Sequence, residues 1–408
     1  MTDPKLQRSA ARQRGYSGPA ILSVGFRPFF LMAAIWAALA MALWVLMLTG
    51  RVILPGPFGP VAWHAHELIF GYGGAVVCGF LLTAIPNWTG RLPVTGAPLG
   101  VLAVIWLAGR VAVAFAPALP AALIDLAFPA ALAAIVAREI IASGNRRNLP
   151  VLALCVLFFV GNAAFHGSAA QGEAATGATG TRIGIAVLVT LISLIGGRIV
   201  PSFTRNWLAK RGPGAMPTPL NRFDAGVLGG TVAALALWTA WPEARLTGVL
   251  LLLTGVAHLL RLVRWRVWRC WSEPLVWVLH LGYTFVPIGF LLVGGSIALP
   301  QLIPATGALH GWLAGAVGLM TLAVMTRASL GHSGRPLRAR PVETVIYLAI
   351  LTAALARIAA GFGGPFWLVH LAATAWIAGF GLFALAYWPI LTLPRLAVKS
   401  PSASSPPG

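Results

Sequence analysis

Histidines are the residues of this sequence with the most specific chemistry, because neutral imidazole is a common ligand of copper, zinc and haem iron. Other side chains that could bind a metal are few, since the chain has only 9 acidic residues and 3 cysteines. The cysteines stand far apart and form no Cys-x-x-Cys pair, which excludes a disulfide scaffold and covalently attached haem. No phosphate-binding or dinucleotide-binding glycine loop is present. The eight histidines are His64, His66, His166, His258, His280, His310, His332 and His370.

Composition identifies the elements that must position these histidines. The chain has 408 residues, of which 58% are hydrophobic and 9% are charged, whereas a soluble domain has about 25% charged residues. A helical membrane span needs about 20 mostly apolar residues, and we predict twelve spans. The predicted fold is therefore an all-α, polytopic helix bundle in membrane lipid. The spans cover residues 28–48, 64–85, 98–116, 119–138, 149–168, 181–203, 223–241, 246–264, 273–296, 305–326, 341–361 and 366–390.

Basic residues predict the orientation of the spans. Of the 29 Lys and Arg residues, 24 fall in the N-terminal segment, the even-numbered connections and the tail, and 5 fall on the other side. Positive charge collects on the cytoplasmic side, so both termini are predicted to be cytoplasmic. The net charge of +20 reflects this topology rather than one basic patch, so no nucleic acid is expected. The predicted organisation is a basic segment over 1–24, one membrane domain over 25–395 and a disordered tail over 396–408.

Four histidines from three spans fall at one depth near the non-cytoplasmic side, namely His64, His66, His166 and His310. Metal sites in helix bundles are built from side chains of facing helices at one depth, so these four predict a metal site. The alternative is a set of hydrogen-bonded interfacial histidines. His258 and His370 are expected to be structural.

His64 and His66 constrain the geometry of such a site. Two helical residues at this spacing point about 200° apart, because each residue turns by about 100°. They can share one metal only if His64 lies on the entering turn, and otherwise they serve two centres. Glu67 is the candidate catalytic residue, because it could relay protons. It could also hold a ligand histidine in place or stabilise the start of its helix.

Arginines near the cytoplasmic side form a second candidate set. Arg27, Arg91, Arg198 and Arg327 stand among Gly, Pro and aromatic residues. Because guanidinium binds carboxylates with two parallel hydrogen bonds, these four predict a cofactor-binding site for a group such as the haem propionates. An anion path, a quinone head group, or arginines that extend from their spans to the aqueous interface are the alternatives.

Several motifs resemble the NnrS family of membrane proteins. They extend from the first span to the loop after the tenth, and the WHAHE segment and the tenth-span block are the most specific. The matching segments are GFRPFFL at 25–31, WHAHELIFGY at 63–72, GFLLTAIPNWTGR at 79–91, GNAAFH at 161–166, GGRIVPSFTRN at 196–206, EPLVWVLHLGYTFVP at 273–287 and LHGWLAGAVGLMTLAVMTRASLGHSGRP at 309–336.

The resemblance implies a bacterial inner-membrane protein with non-covalent haem b and copper, linked to nitric oxide metabolism, denitrification and resistance to nitrosative stress. It implies metal-binding roles for the motif histidines. If nitric oxide is turned over, we expect reduction to nitrous oxide with electrons from quinol or a partner cytochrome. The alternative is a transporter, or a protein that handles haem or copper without redox turnover. The implied metal ligands are His64, His66, His166, His280, His310 and His332.

Overall fold

The computed structural model describes residues 16–170 and 178–396. Within these ranges the chain is helical without strands, and twelve helices are long and apolar enough to cross a membrane. The predicted all-α bundle of about twelve spans is confirmed. The helices are α1 (Phe26–Leu48), α2 (Pro60–Thr89), α3 (Ala97–Phe115), α4 (Ala118–Ser143), α5 (Arg146–Ala169), α6 (Thr179–Leu208), α7 (Arg222–Ala240), α8 (Arg245–Arg269), α9 (Pro274–Ala298), α10 (Ala305–His332), α11 (Pro341–Gly361) and α12 (Trp367–Thr392).

Five helices exceed the predicted spans by six to eight residues, namely α2, α4, α6, α8 and α10, and three of them are the longest in the structure. Helices α2 and α6 have 30 residues each, and α10 has 28. Their C-terminal ends continue through polar residues, such as Asn87 in α2 and Arg327 in α10, which an apolar window excludes. Helix α2 ends where Gly90 adopts a φ of 67°, a left-handed conformation that glycine reaches without strain.

The same three helices lie at the centre of the bundle, together with α9. The buried share of the most apolar stretch is 78% in α2 and 72% in α10, whereas it is 33% in α7 and in α11. Each of the three contains a π-helical turn, at Glu67–Tyr72, Ile192–Gly196 and Gly311–Val317. Such turns insert an extra residue into a helix, re-aim side chains and often occur at functional sites.

We call the end of the bundle where α2, α6 and α10 begin the outer end, and the opposite end the inner end, following the orientation that the charge pattern predicts.

The predicted segment 1–24 is described only from Tyr16, with a short 3-10 turn at Ala20–Leu22. The predicted tail lies outside the described residues except for Leu396. The domain limits and the side of the termini stay predictions.

Candidate metal centre and cofactor cavity

An outer cavity of about 290 Å³ lies among the outer halves of the central helices and is bounded further by α1, α11 and α12. Its lining is mostly apolar, with aliphatic and aromatic side chains such as Leu68, Leu188 and Trp376. Two of the predicted histidines, His64 and His310, line this cavity from α2 and α10. Cofactor sites typically have this character, with an apolar wall and a few convergent polar groups.

Three polar side chains of the outer cavity, those of His64, His310 and Arg357, have unused hydrogen-bonding capacity among the described residues. The Nδ1 atom of His64 is buried and has no hydrogen-bond partner among the described residues, and its ring stacks on Trp44 with 4.1 Å between centroids. The Nδ1 atom of His310 donates to the Thr306 carbonyl oxygen at 2.6 Å, which leaves its Nε2 lone pair free. Arg357 also lines the cavity, and its buried Nε has no partner there.

A second group of ligand-type side chains, the His66 cluster (His66, Asp125 and His166), lies in the outer part of α2, α4 and α5. The Nε2 atoms of His66 and His166 both lie 3.1 Å from Asp125 Oδ2. One ligand atom from each residue falls within 4.8 Å of the others, which is a geometry that could hold a metal ion. The three residues are 0%, 1% and 8% exposed, so the cluster is shielded from water.

Asn162 completes the hydrogen bonds of the His66 cluster. Its Nδ2 donates to Asp125 Oδ2 at 2.7 Å, and its Oδ1 lies 3.0 Å from His66 Nε2. The other ring nitrogen of His66, Nδ1, lies 2.9 Å from Glu67 Oε1. His66 is therefore held on both sides, which fixes the orientation of its ring.

An arginine from α3 links both carboxylates. Arg110 Nη1 donates to both oxygens of Glu67 at 2.8 Å, and Nη2 donates to Asp125. Trp36 Nε1 donates to Glu67 Oε2 at 2.7 Å. All three ionic side chains are at most 2% exposed. Buried charges are tolerated when they are paired and hydrogen-bonded, and each charge of this network is paired, although the buried Nε of Arg110 has no partner among the described residues.

Two glycines make room for this network. A Cβ atom at Gly71 would lie 2.5 Å from Arg110 Nη1 and 2.8 Å from Glu67 Oε2. One at Gly109 would lie 2.9 Å from Asp125 Oδ1. Since these distances are shorter than van der Waals contact, only glycine lets the carboxylates and the guanidinium approach here.

Several residues of these two sites were not predicted. Asp125 and Asn162 were overlooked, although an ionisable residue inside an apolar span is by itself a signal of a functional site. Arg110 and Arg357 were counted only as topological charges on the outer side. The signal for them was their position inside α3 and α11 rather than in a connection.

The remaining motif histidines lie elsewhere. His280 Nε2 is 2.8 Å from Thr204 Oγ1, and its buried Nδ1 has no partner among the described residues. His332 lies at the inner end of α10 and packs on Phe26, with 5.6 Å between the ring centroids. Neither residue lines the outer cavity or belongs to the His66 cluster.

The two histidines that were expected to be structural have surroundings consistent with that role. His258 Nε2 lies 2.9 Å from Thr231 Oγ1, and Nδ1 lies 2.9 Å from the Tyr283 hydroxyl. Both of its ring nitrogens are therefore used. His370 is exposed and packs edge-on against Phe366.

The four predicted cofactor-binding arginines have different surroundings. Arg27 Nη1 donates to the carbonyl oxygens of Leu391 and Leu393 at the end of α12. Arg91 pairs with Glu139, the Arg327 guanidinium lies 4.1 Å from the centroid of the Phe203 ring, and Arg198 is exposed. None of the four lines the outer cavity, where Arg357 is the arginine present.

Comparison with known proteins gives one family. No curated protein matches the chain. The family model described as NnrS protein matches residues 20–395, which include all twelve membrane helices and both groups of histidines. The chain therefore belongs to the NnrS family.

Proposed function

We propose that this chain is a multi-pass protein of the bacterial inner membrane that binds haem b and copper and acts in nitric oxide metabolism or resistance to nitrosative stress. One observation carries the proposal: His64 and His310, from two central helices, line one apolar cavity, and each has a ring nitrogen without a hydrogen-bond partner in the described part of the chain.

The residues of the outer cavity fit a haem. Haem is a largely apolar macrocycle with two carboxylates, and histidine is its common axial ligand. His64 and His310 would hold the iron, and the guanidinium of Arg357 would bind a carboxylate, for which its unpartnered Nε is suited. The apolar wall would exclude water from the macrocycle, with Trp44 fixing the ring of His64.

The His66 cluster fits a second metal. Two imidazoles and one carboxylate are a donor set that zinc, non-haem iron and copper accept, and copper is the metal we propose because the family resemblance implies it. His66, His166 and Asp125 would be the ligands. Glu67 would orient His66 through its 2.9 Å hydrogen bond, and Arg110 would hold both carboxylates. Binding requires that the hydrogen bonds between the imidazoles and Asp125 give way to the metal.

The proposed reaction is the reduction of two nitric oxide molecules to nitrous oxide and water, which consumes two electrons and two protons. Bound haem and copper would supply electron transfer and a position for nitric oxide, and quinol or a partner cytochrome would supply the electrons. The chain's own contribution would be to carry protons from the outer side. Glu67, which is hydrogen-bonded to the Nδ1 atom of His66 and is not one of the proposed copper ligands, is the proposed proton relay.

The first experiment is an absorbance spectrum and a metal analysis of the detergent-purified full-length protein, oxidised and reduced, with and without nitric oxide. We expect a b-type haem spectrum that shifts when nitric oxide is added, and stoichiometric copper. A haem spectrum that does not respond to nitric oxide would favour a haem-handling protein without turnover. A folded, colourless and metal-free protein would overturn the proposal and favour a transporter.

A further inference from the structure

An inner cavity, separate from the outer one, lies among the three central helices. It has a volume of about 80 Å³ and is lined by α2, α6 and α10 alone. Its walls include residues from the π-helical turn of α6, such as Ile192 and Ile195, and from the end of the π turn of α10, Val317. The π turn of α10 therefore borders both cavities, whereas the π turn of α6 borders the inner one.

The lining of the inner cavity is apolar with one exception, Thr321. The hydroxyl of Thr321 donates to the Val317 carbonyl oxygen at 2.7 Å and accepts from the hydroxyl of Tyr72. A buried water needs two to four polar partners, and apolar cavities without them stay dry and bind apolar guests such as xenon. The inner cavity is therefore suited to small apolar molecules.

The inner and outer cavities are adjacent. Leu188 and Val317 line both of them. Tyr72 lines the outer cavity and Thr321 the inner one, and their hydrogen bond joins α2 to α10 at the boundary. The partition is thus one layer of side chains, with Leu188 and Val317 as its apolar part.

The inner cavity lies at the depth of the hydrocarbon core. Its α2 residues run from Gly73 to Leu81, near the middle of the 30 residues of that helix. Lining residues on all three helices, Val77, Ile195 and Val324, are only half-buried. Apolar gases concentrate in the same hydrocarbon layer, so they reach this cavity without a polar channel.

We propose that the inner cavity is a binding site and passage for small apolar gas molecules between the lipid and the outer cavity, with Leu188 and Val317 as the partition. The proposed function supplies only the identity of the natural gas, nitric oxide, and that part of the inference rests on it. The existence of the gas site is independent of the proposed function, because any small apolar gas tests the cavity itself.

The direct test is xenon binding by the full-length protein, located by anomalous scattering in xenon-pressurised crystals. We expect xenon among Val77, Ile195 and Val324, and its loss in the cavity-filling variants Val77→Phe and Val324→Phe. Val256→Phe is the matched control, because Val256 is 49% exposed on α8 and lines neither cavity. Absence of xenon from the wild-type cavity, or an acyl chain that fills it, would overturn the proposal.

The passage is tested by the association rate of nitric oxide, followed by absorbance after flash photolysis of the haem-loaded protein. Val77→Phe and Val324→Phe should slow association about tenfold, equivalent to about 1.4 kcal/mol of added barrier, with an unchanged haem spectrum. Unchanged rates in both variants would overturn the passage. A protein that binds xenon in this cavity but no haem would overturn the proposed function and leave the gas site standing.

Discussion

The imidazoles of His64 and His66, two residues apart on α2, belong to two different sites. The ring of His64 stacks on Trp44 and lines the outer cavity. The ring of His66 lies between Glu67 and Asp125. Of the two arrangements that their spacing allows, the structure has the one in which the two rings point to different places. The segment WHAHE thus links the cavity and the cluster through a single turn of helix.

Because the two sites use different histidines, their contents should be separable by mutation. We expect His64→Ala to lose haem and keep copper, and His166→Ala to lose copper and keep haem. The measurement is the haem absorbance and the copper content of each purified variant. His370→Ala is the control, since His370 is exposed near the same end of the bundle. If either variant lost both metals while remaining folded, the assignment of two independent sites would be wrong.

Arg110 is expected to be required for stability. Its removal leaves the buried carboxylates of Glu67 and Asp125 without their positive partner, and breaking a buried ion pair costs about 3–5 kcal/mol. We expect Arg110→Met to lower the thermal midpoint strongly, and Arg51→Met, at an exposed residue, to leave it nearly unchanged. In Arg110→Met, the second change Glu67→Gln should restore part of the loss. Equal midpoints for the two single variants would contradict this account.

The membrane helices were predictable because a long apolar run has few alternatives to a membrane helix. The predicted limits match the ends of most helices to within a few residues. They fall short by four to six residues at the C-terminal ends of α2, α4, α6, α8 and α10, where the helices continue through polar residues that an apolar window excludes. The depth of four histidines was predictable from the same spans. The division of these histidines into two sites was not predictable, because it depends on which helices pack together.

The partners of the histidines illustrate the limit of sequence reasoning. Asp125 and His166 are 41 residues apart, and no spacing rule connects them. Arg357 reaches the outer cavity from α11, far along the chain from His64. Such contacts follow from tertiary packing, whereas Glu67 beside His66 was visible because the two residues are consecutive.

Gly71 and Gly229 should respond to alanine in opposite ways. A Cβ at Gly71 meets Arg110 Nη1 at 2.5 Å, whereas a Cβ at Gly229 meets nothing within 4 Å. Alanine is favoured over glycine in a helix by about 1 kcal/mol, so Gly229→Ala should be neutral or stabilising. Gly71→Ala should be destabilising because it separates Arg110 from Glu67. The measurement is the thermal midpoint of each variant relative to wild type. A stabilised Gly71→Ala would show that the close approach of Arg110 to Gly71 is not required.

Arg357 is expected to contribute to the retention of haem in the outer cavity. A hydrogen bond to a charged group contributes about 1.5–3 kcal/mol, which corresponds to about tenfold or more in affinity. We expect Arg357→Leu to lose haem to an apo-globin acceptor at least tenfold faster than wild type, with the same absorbance maxima because His64 and His310 are intact. Arg245→Leu is the control, since Arg245 is exposed and lies outside the cavity. An unchanged loss rate would mean that the carboxylates of the haem are bound elsewhere, and a changed spectrum would mean that Arg357 acts through the histidines instead.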